Sequence, residues 1–251
     1  MSIPRKTNSK SNAKKSVVTV SFDDPAAHKE VVPVNPSHVE AGCLEGDWGA
    51  GDLKLARLDL KHAVDTRFAD VTPGHYVYSR STEDYFSLAP HLTVVFPKVR
   101  KGFRQTVEQG EVPLICYSKA ELAELGGTTE KNRPDLTPFS VFCDTLVLID
   151  QSAHAAWPDT ILFDVGGTKM ALATYCIKGS AYSEIGSVLV GRPAFQFLTK
   201  QKPTLLWEQV WTLGSMLRKG ASFSYQVPTL KRLRSATPAE AQACKELVQN
   251  L

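Results

Sequence analysis

Between Leu53 and Val165, short apolar and β-branched runs alternate with turn signals, a rhythm that suits a sheet and leaves space for little helix. Leu53-Lys-Leu-Ala-Arg-Leu-Asp-Leu60 alternates apolar with polar for most of its length, which predicts a half-buried strand. Further strands are expected over 75–79, 92–99, 112–118, 139–149 and 160–165. The dipeptides Pro73-Gly74 and Gly126-Gly127 and the breaks at Gly110 and Pro134 separate them. Residues 119–125, rich in Ala, Glu and Leu, predict a short helix. From 168 to 190 the pattern becomes helix-compatible, with Met170, Ala173, Ile177, Tyr182, Ile185 and Leu189 available for one face and Gly179 interrupting it.

The carboxyl-terminal third predicts a long antiparallel hairpin. Leu206-Trp-Glu-Gln-Val-Trp-Thr-Leu213 and Ala221-Ser-Phe-Ser-Tyr-Gln-Val227 are aromatic, β-rich runs, and Arg218-Lys-Gly220 offers the turn between them. Period-two and period-four offsets place Trp207 with Trp211, and Phe223 with Tyr225, on common faces of their strands. Thr237-Pro238 then matches a helix cap followed by proline at the first helical position, and 239–251 has the composition of a final helix. The expected fold class is therefore α+β and β-rich, either an OB-like barrel or an elaborated antiparallel sheet, with a few helices and a C-terminal one.

The chain has 251 residues and is 43% hydrophobic, enough to bury a real core. Residues 1–16 hold Arg5, Lys6, Lys10, Lys14 and Lys15 and no acid, so they are expected to form a disordered basic arm. Ser16-Val-Val-Thr-Val-Ser-Phe22 is strand-like, but 17–52 as a whole is Pro- and Gly-punctuated and reads as extended and loop-rich. The expected division is thus arm 1–16, loop-rich segment 17–52 and one β-rich globular domain over 53–251. No apolar run reaches the roughly 18 residues of a membrane span, and the amino terminus carries no signal-peptide core, so a cytoplasmic location is expected. The five cysteines, Cys43, Cys116, Cys143, Cys176 and Cys244, are scattered without a Cys-x-x-Cys pair and read as reduced small hydrophobes.

Phe96-Pro-Lys-Val-Arg-Lys-Gly-Phe-Arg104 sets cations between two aromatics directly after the apolar run Leu92-Thr-Val-Val-Phe96. Lys98, Arg100, Lys101 and Arg104 can attract a phosphate backbone while Phe96 or Phe103 offers a face to an unstacked base. The alternative is a solvated basic turn. The hairpin repeats the combination: Arg218 and Lys219 at its tip, Phe223 and Tyr225 on one arm, and Lys231, Arg232 and Arg234 along the exit. A core role for the hairpin aromatics competes with the binding role.

Catalytic patterns are weaker. Phe163-Asp-Val-Gly-Gly-Thr-Lys169 resembles the phosphate-binding turn of the ROK sugar kinases, but the catalytic aspartate and zinc-ligating cysteines of that family have no counterpart after Lys169. The other reading is a strand ending in Asp164, a Gly-Gly turn and a helix beginning at Thr168. Six histidines lack metal-ligand spacing, and the carboxylates Asp23, Asp24, Asp144, Asp150, Asp159 and Asp164, some of them at strand ends, lack the paired lysine of a nuclease. Neither a metal nor another cofactor is expected.

Taken with the region around Leu58 and Pro73-Gly74, the run Val112-Pro-Leu-Ile-Cys-Tyr-Ser118, the turn Ile177-Lys-Gly-Ser-Ala-Tyr182 and the hairpin ending Tyr225-Gln-Val-Pro228, the chain resembles phage- and mobile-element-encoded proteins of the single-stranded DNA-binding and recombination-accessory type. The resemblance covers about residues 55–250. It implies single-stranded nucleic acid as ligand, without catalysis, and replication or recombination proteins as partners. Some relatives carry extra cysteines near Cys116 and Cys143, suggesting a zinc knuckle, which this chain lacks. It ends in Val248-Gln-Asn-Leu251 rather than in the acidic tail of many single-strand binders, so a recruiting hub is not expected. The second expectation is a structural or protein-interaction component of a phage or mobile element, and the third a metal-dependent nuclease or nucleotide-binding enzyme.

Overall fold

The computed structural model describes residues 55–108, 111–130, 133, 135–191, 205–220 and 223–250, all within the unit Leu53–Leu251. The expectations for 1–16 and 17–52 lie outside the described residues. The strands are β1 (Ala56–Leu60), β2 (Tyr76–Ser79), β3 (Tyr85–Ser87), β4 (His91–Gln105), β5 (Ile115–Cys116), β6 (Gly127–Thr128), β7 (Thr137–Asp150), β8 (Leu162–Val165), β9 (Thr168–Lys178), β10 (Gln209–Lys219) and β11 (Ser224–Ser235). The helices are α1 (Lys119–Glu124), α2 (180–191, with a π-turn over Tyr182–Gly186) and α3 (Pro238–Asn250).

The strands join in one sheet in the order β11-β10-β4-β7-β9-β1-β2-β3, with β5, β6 and β8 as short additions to β4, β7 and β9. All pairs are antiparallel except β1 with β9 and β6 with β7. The sheet is curled into a half-barrel, which gives the β-rich α+β architecture in its elaborated-sheet form. Two long-range bonds tie the curl together: the Tyr76 hydroxyl donates to the Gly214 carbonyl at 2.8 Å, and the Ser215 hydroxyl donates to Gly74. Both cross from the β2 side of the sheet to β10, far apart in strand order.

One face of the sheet buries the main core, built from Leu58, Tyr76, Leu92, Val94, Phe96, Val147, Ile149, Ala173, Tyr175, Ile177, Trp211 and Leu213, with Ile185 and Leu189 of α2 packed into it. A smaller core on the other face joins Val95, Leu148, Met170 and Val210 to Cys244 of α3. Trp207 lies in a 3-10 turn and packs against this second core, whereas Trp211 belongs to the first, so the two tryptophans do not share a face. The irregular turn before β10 breaks the period-four argument.

The segment from 168 departs most from expectation. Thr168–Lys178 is a strand, not a helix, and only 180–191 is helical, after Gly179 at φ 59°. Ala, Leu and Met favour helix, but this run sits between β7 and β1 with Ala171, Ala173, Tyr175 and Ile177 facing the main core and Met170 facing α3. Burial on both sides outweighs propensities of a few tenths of a kcal/mol per residue.

The Gly-Gly turn is accordingly a hairpin connection. Gly166 and Gly167 have φ of 63° and 91°, the mirror-image turn that matches strand twist, and the Asp164 carboxylate accepts from the Gly167 amide at 2.8 Å. A Cβ on Gly166 would stand 2.4 Å from the Glu240 nitrogen, so the turn seats directly on the first turn of α3. Helix α3 is closed by a reciprocal cap in which Thr237 Oγ1 accepts from the Glu240 amide and the Glu240 carboxylate accepts from the Thr237 amide.

Candidate nucleic-acid interface

The basic segment 98–104 is not a turn but the second half of β4, and Pro97 is what makes the difference. Val95 pairs with Leu148, yet the next pair is Lys98 with Leu146, so Phe96 and Pro97 together oppose one residue of β7. The bulge accepts a proline because its nitrogen owes the ladder no hydrogen bond. It also reverses the alternation of the strand. Before it, Leu92, Val94 and Phe96 face the main core; after it, Val99, Lys101 and Phe103 take that side of the sheet, Phe103 in a separate small cluster, and Lys98, Arg100 and Arg104 move to the opposite face.

Register carries that face across the sheet. Lys98, Arg100, Gly102 and Arg104 pair with Leu146, Asp144, Phe142 and Ser140 of β7. Those in turn meet Thr174, Cys176 and Lys178 of β9, and Thr174 meets Arg57 of β1. Arg57, Lys98 and Lys178 are exposed and Arg100 and Arg104 half-buried, against the half-buried carboxylates Asp59 and Asp144. Cations therefore outnumber acids on this stretch of sheet, beside the part that α3 covers.

Its centre is built in layers. A Cβ on Gly102 would lie 2.4 Å from the Phe142 ring and 3.1 Å from Tyr117, so only glycine lets those rings cross the strand. The Tyr117 ring meets Phe142 edge-on at 5.9 Å, and the Arg100 guanidinium lies over Tyr117 at 3.5 Å from the ring centroid. Two bonds fix Tyr117 itself. Its hydroxyl donates to Asp144 Oδ2 at 3.1 Å, and its amide donates to the Glu121 carboxylate at 2.8 Å, in the first turn of α1 where Ser118 caps the helix.

The remaining expected residues divide sharply. Phe96 is fully buried in the main core and Phe103 is buried with Cys116, Leu122 and Phe139, so neither can stack a base; a glycine before Phe103 does not make it exposed when its strand neighbours and α1 close over it. Lys101 points to the same side as Phe103, with Nζ 5.4 Å from that ring, away from the other cations of its segment. On the hairpin, Phe223 is 68% exposed and its ring lies 5.7 Å from that of the half-buried Tyr225, on the common face expected of them. Arg218 pairs with Tyr225 across the strands and bonds Glu184 at 2.8 Å, while Lys219 is exposed at the tip. Lys231 and Arg232 are exposed.

Arg234 is committed elsewhere. Its guanidinium makes a two-pronged pair with the buried Glu240, at 2.7 and 2.6 Å, and docks α3. That pair, with the Thr237 amide, holds the Glu240 carboxyl down at about 2. Sequence reasoning missed Arg57, Lys178 and Tyr117. The polar side of the alternating run 53–60 already displayed Arg57, but nothing local places it beside β9.

The carboxylates considered for metal binding have structural uses: Asp150 caps the Ser152 amide and Asp164 the Gly167 amide. Among the described residues no three His, Cys, Asp or Glu side chains gather as a metal site, and no helix is long and apolar enough to cross a membrane. Comparisons of the chain with protein-family models, curated proteins and solved structures return no match.

Proposed function

We propose that this chain binds single-stranded nucleic acid, DNA in the first instance, and serves replication or recombination in the cytoplasm of a cell carrying a phage or mobile element. The observation that carries the reading is the placement of Lys98, Arg100, Arg104, Lys178 and Arg57 on one face of neighbouring strands, with Arg100 held over Tyr117. A sheet surface with several cations and a held π-system supplies phosphate attraction and base contact together. The hairpin adds a second such combination in Lys219, Phe223 and Tyr225.

The test is a fluorescence-anisotropy titration of an oligonucleotide single strand and its duplex at two salt concentrations. Binding should favour the single strand and fall steeply with salt, because each phosphate contact releases counterions. Replacing Lys98, Arg100 and Arg104 together by Ala should weaken binding and flatten the salt slope. Equal affinity for duplex reduces the surface to unspecific basic attraction, and no binding at low salt rejects the function.

A further inference from the structure

Tyr117 is boxed in. Phe142 abuts it at 5.9 Å and 64°, and Arg100 covers its face at 3.5 Å, the distance of van der Waals contact between planes. Phe96 and Phe103 are buried on the opposite face, so the π-surface that β4 carries on this side is the half-buried Arg100 guanidinium. A guanidinium is planar and weakly hydrated, and its two faces are equivalent; with one on a tyrosine, the other suits a flat heterocycle.

Building on the nucleic-acid reading above, we propose that Arg100, held on Tyr117, is the platform on which one unpaired nucleobase stacks, giving the layered order Phe142, Tyr117, Arg100, base. The support is fixed in advance. Gly102 clears the space for Phe142, Asp144 takes the Tyr117 hydroxyl, and Glu121 takes the Tyr117 amide. Arg100 thus loses little freedom on binding, because its plane is already set by the ring beneath it. Lys98 and Arg104, two and four residues away on the same face, are left to the phosphates that flank that base.

Arg100→Lys separates stacking from charge, since lysine keeps the cation and loses the plane. The full chain is titrated with a labelled single strand and with a strand of equal length whose central nucleotides are abasic, each at two salt concentrations, after circular dichroism has shown the variant folded. The expected result is a loss of about 5- to 150-fold on the base-bearing strand, the size of one stacked base, with an unchanged salt slope and no loss on the abasic strand. Tyr117→Leu, which removes the support and keeps Arg100, should weaken the same strand selectively. Arg100→Lys binding both strands like the parent protein, or losing equally on both, overturns the stacking role and leaves nucleic-acid binding standing. Equal affinity of the parent protein for both strands does the same. A parent protein that binds neither strand at low salt rejects the platform and the function beneath it.

Discussion

The pair that docks α3 makes a quantitative demand on pH. Glu240 is 2% exposed and accepts from both terminal nitrogens of Arg234 and from the Thr237 amide, and its carboxyl is held near 2 against an ordinary value of 4.5. Each unit is worth about 1.4 kcal/mol of preference for the charged form, so the shift corresponds to about 3.5 kcal/mol. Arg234 is 44% exposed, and solvent screening of that partner brings the expected contribution to about 2 kcal/mol. The folded-state value is depressed, so this stability is fully present above the unfolded value, near pH 5 and higher. It drains as pH falls toward 2, because the unfolded chain takes up the proton first. Glu240→Gln keeps the shape, removes the charge and leaves one amide nitrogen facing a guanidinium. Urea unfolding followed by tryptophan fluorescence should show the variant about 2 kcal/mol less stable at pH 7, with the gap to the parent protein closing as pH falls to 3. A gap of the same size at both pH values would mean that packing, not the ion pair, sets the cost. A cost below about 0.5 kcal/mol at pH 7 would mean that α3 docks without the pair.

The Gly-Gly turn should be unequal in its glycines. Gly166→Ala meets both an unfavourable φ and the backbone of Ala239 and Glu240 at 2.5 and 2.4 Å, and should cost about 2–4 kcal/mol in chemical unfolding; Gly167→Ala, with open space around it, should cost about 1 kcal/mol. Equal losses would place the strain in the turn alone rather than in its seat on α3. Phe223→Ala should change the melting temperature by no more than a degree or two, roughly 0.5 kcal/mol, because the ring is 68% exposed, while weakening single-strand binding measurably by anisotropy. A large drop in melting temperature, or unaltered binding, would remove Phe223 from the interface.

Much of this architecture was legible in the chain because it is local. Period-two alternation located β1, an apolar run bounded by turn signals located β7, the Thr237-Pro238 cap announced α3, and the paired aromatic runs with a basic turn announced the β10–β11 hairpin. Such signals rest on contacts between near neighbours in sequence, and a single chain displays them in full. Which face a residue turns outward is a different matter. One extra residue at Phe96-Pro97 reverses every side chain after it, sending Lys98, Arg100 and Arg104 to one side and burying Phe103 on the other. The composition of 168–178 favours helix until β7 and β1 are placed on either side of it. The placement of Arg57, Lys178 and Tyr117 on the same face as Arg100 depends on register between strands whose sequence separation is tens of residues or more, and on a glycine whose need is visible only once Phe142 lies across it. Apart from β9, strand identity follows from local pattern; the common face follows from long-range pairing, which no local pattern encodes.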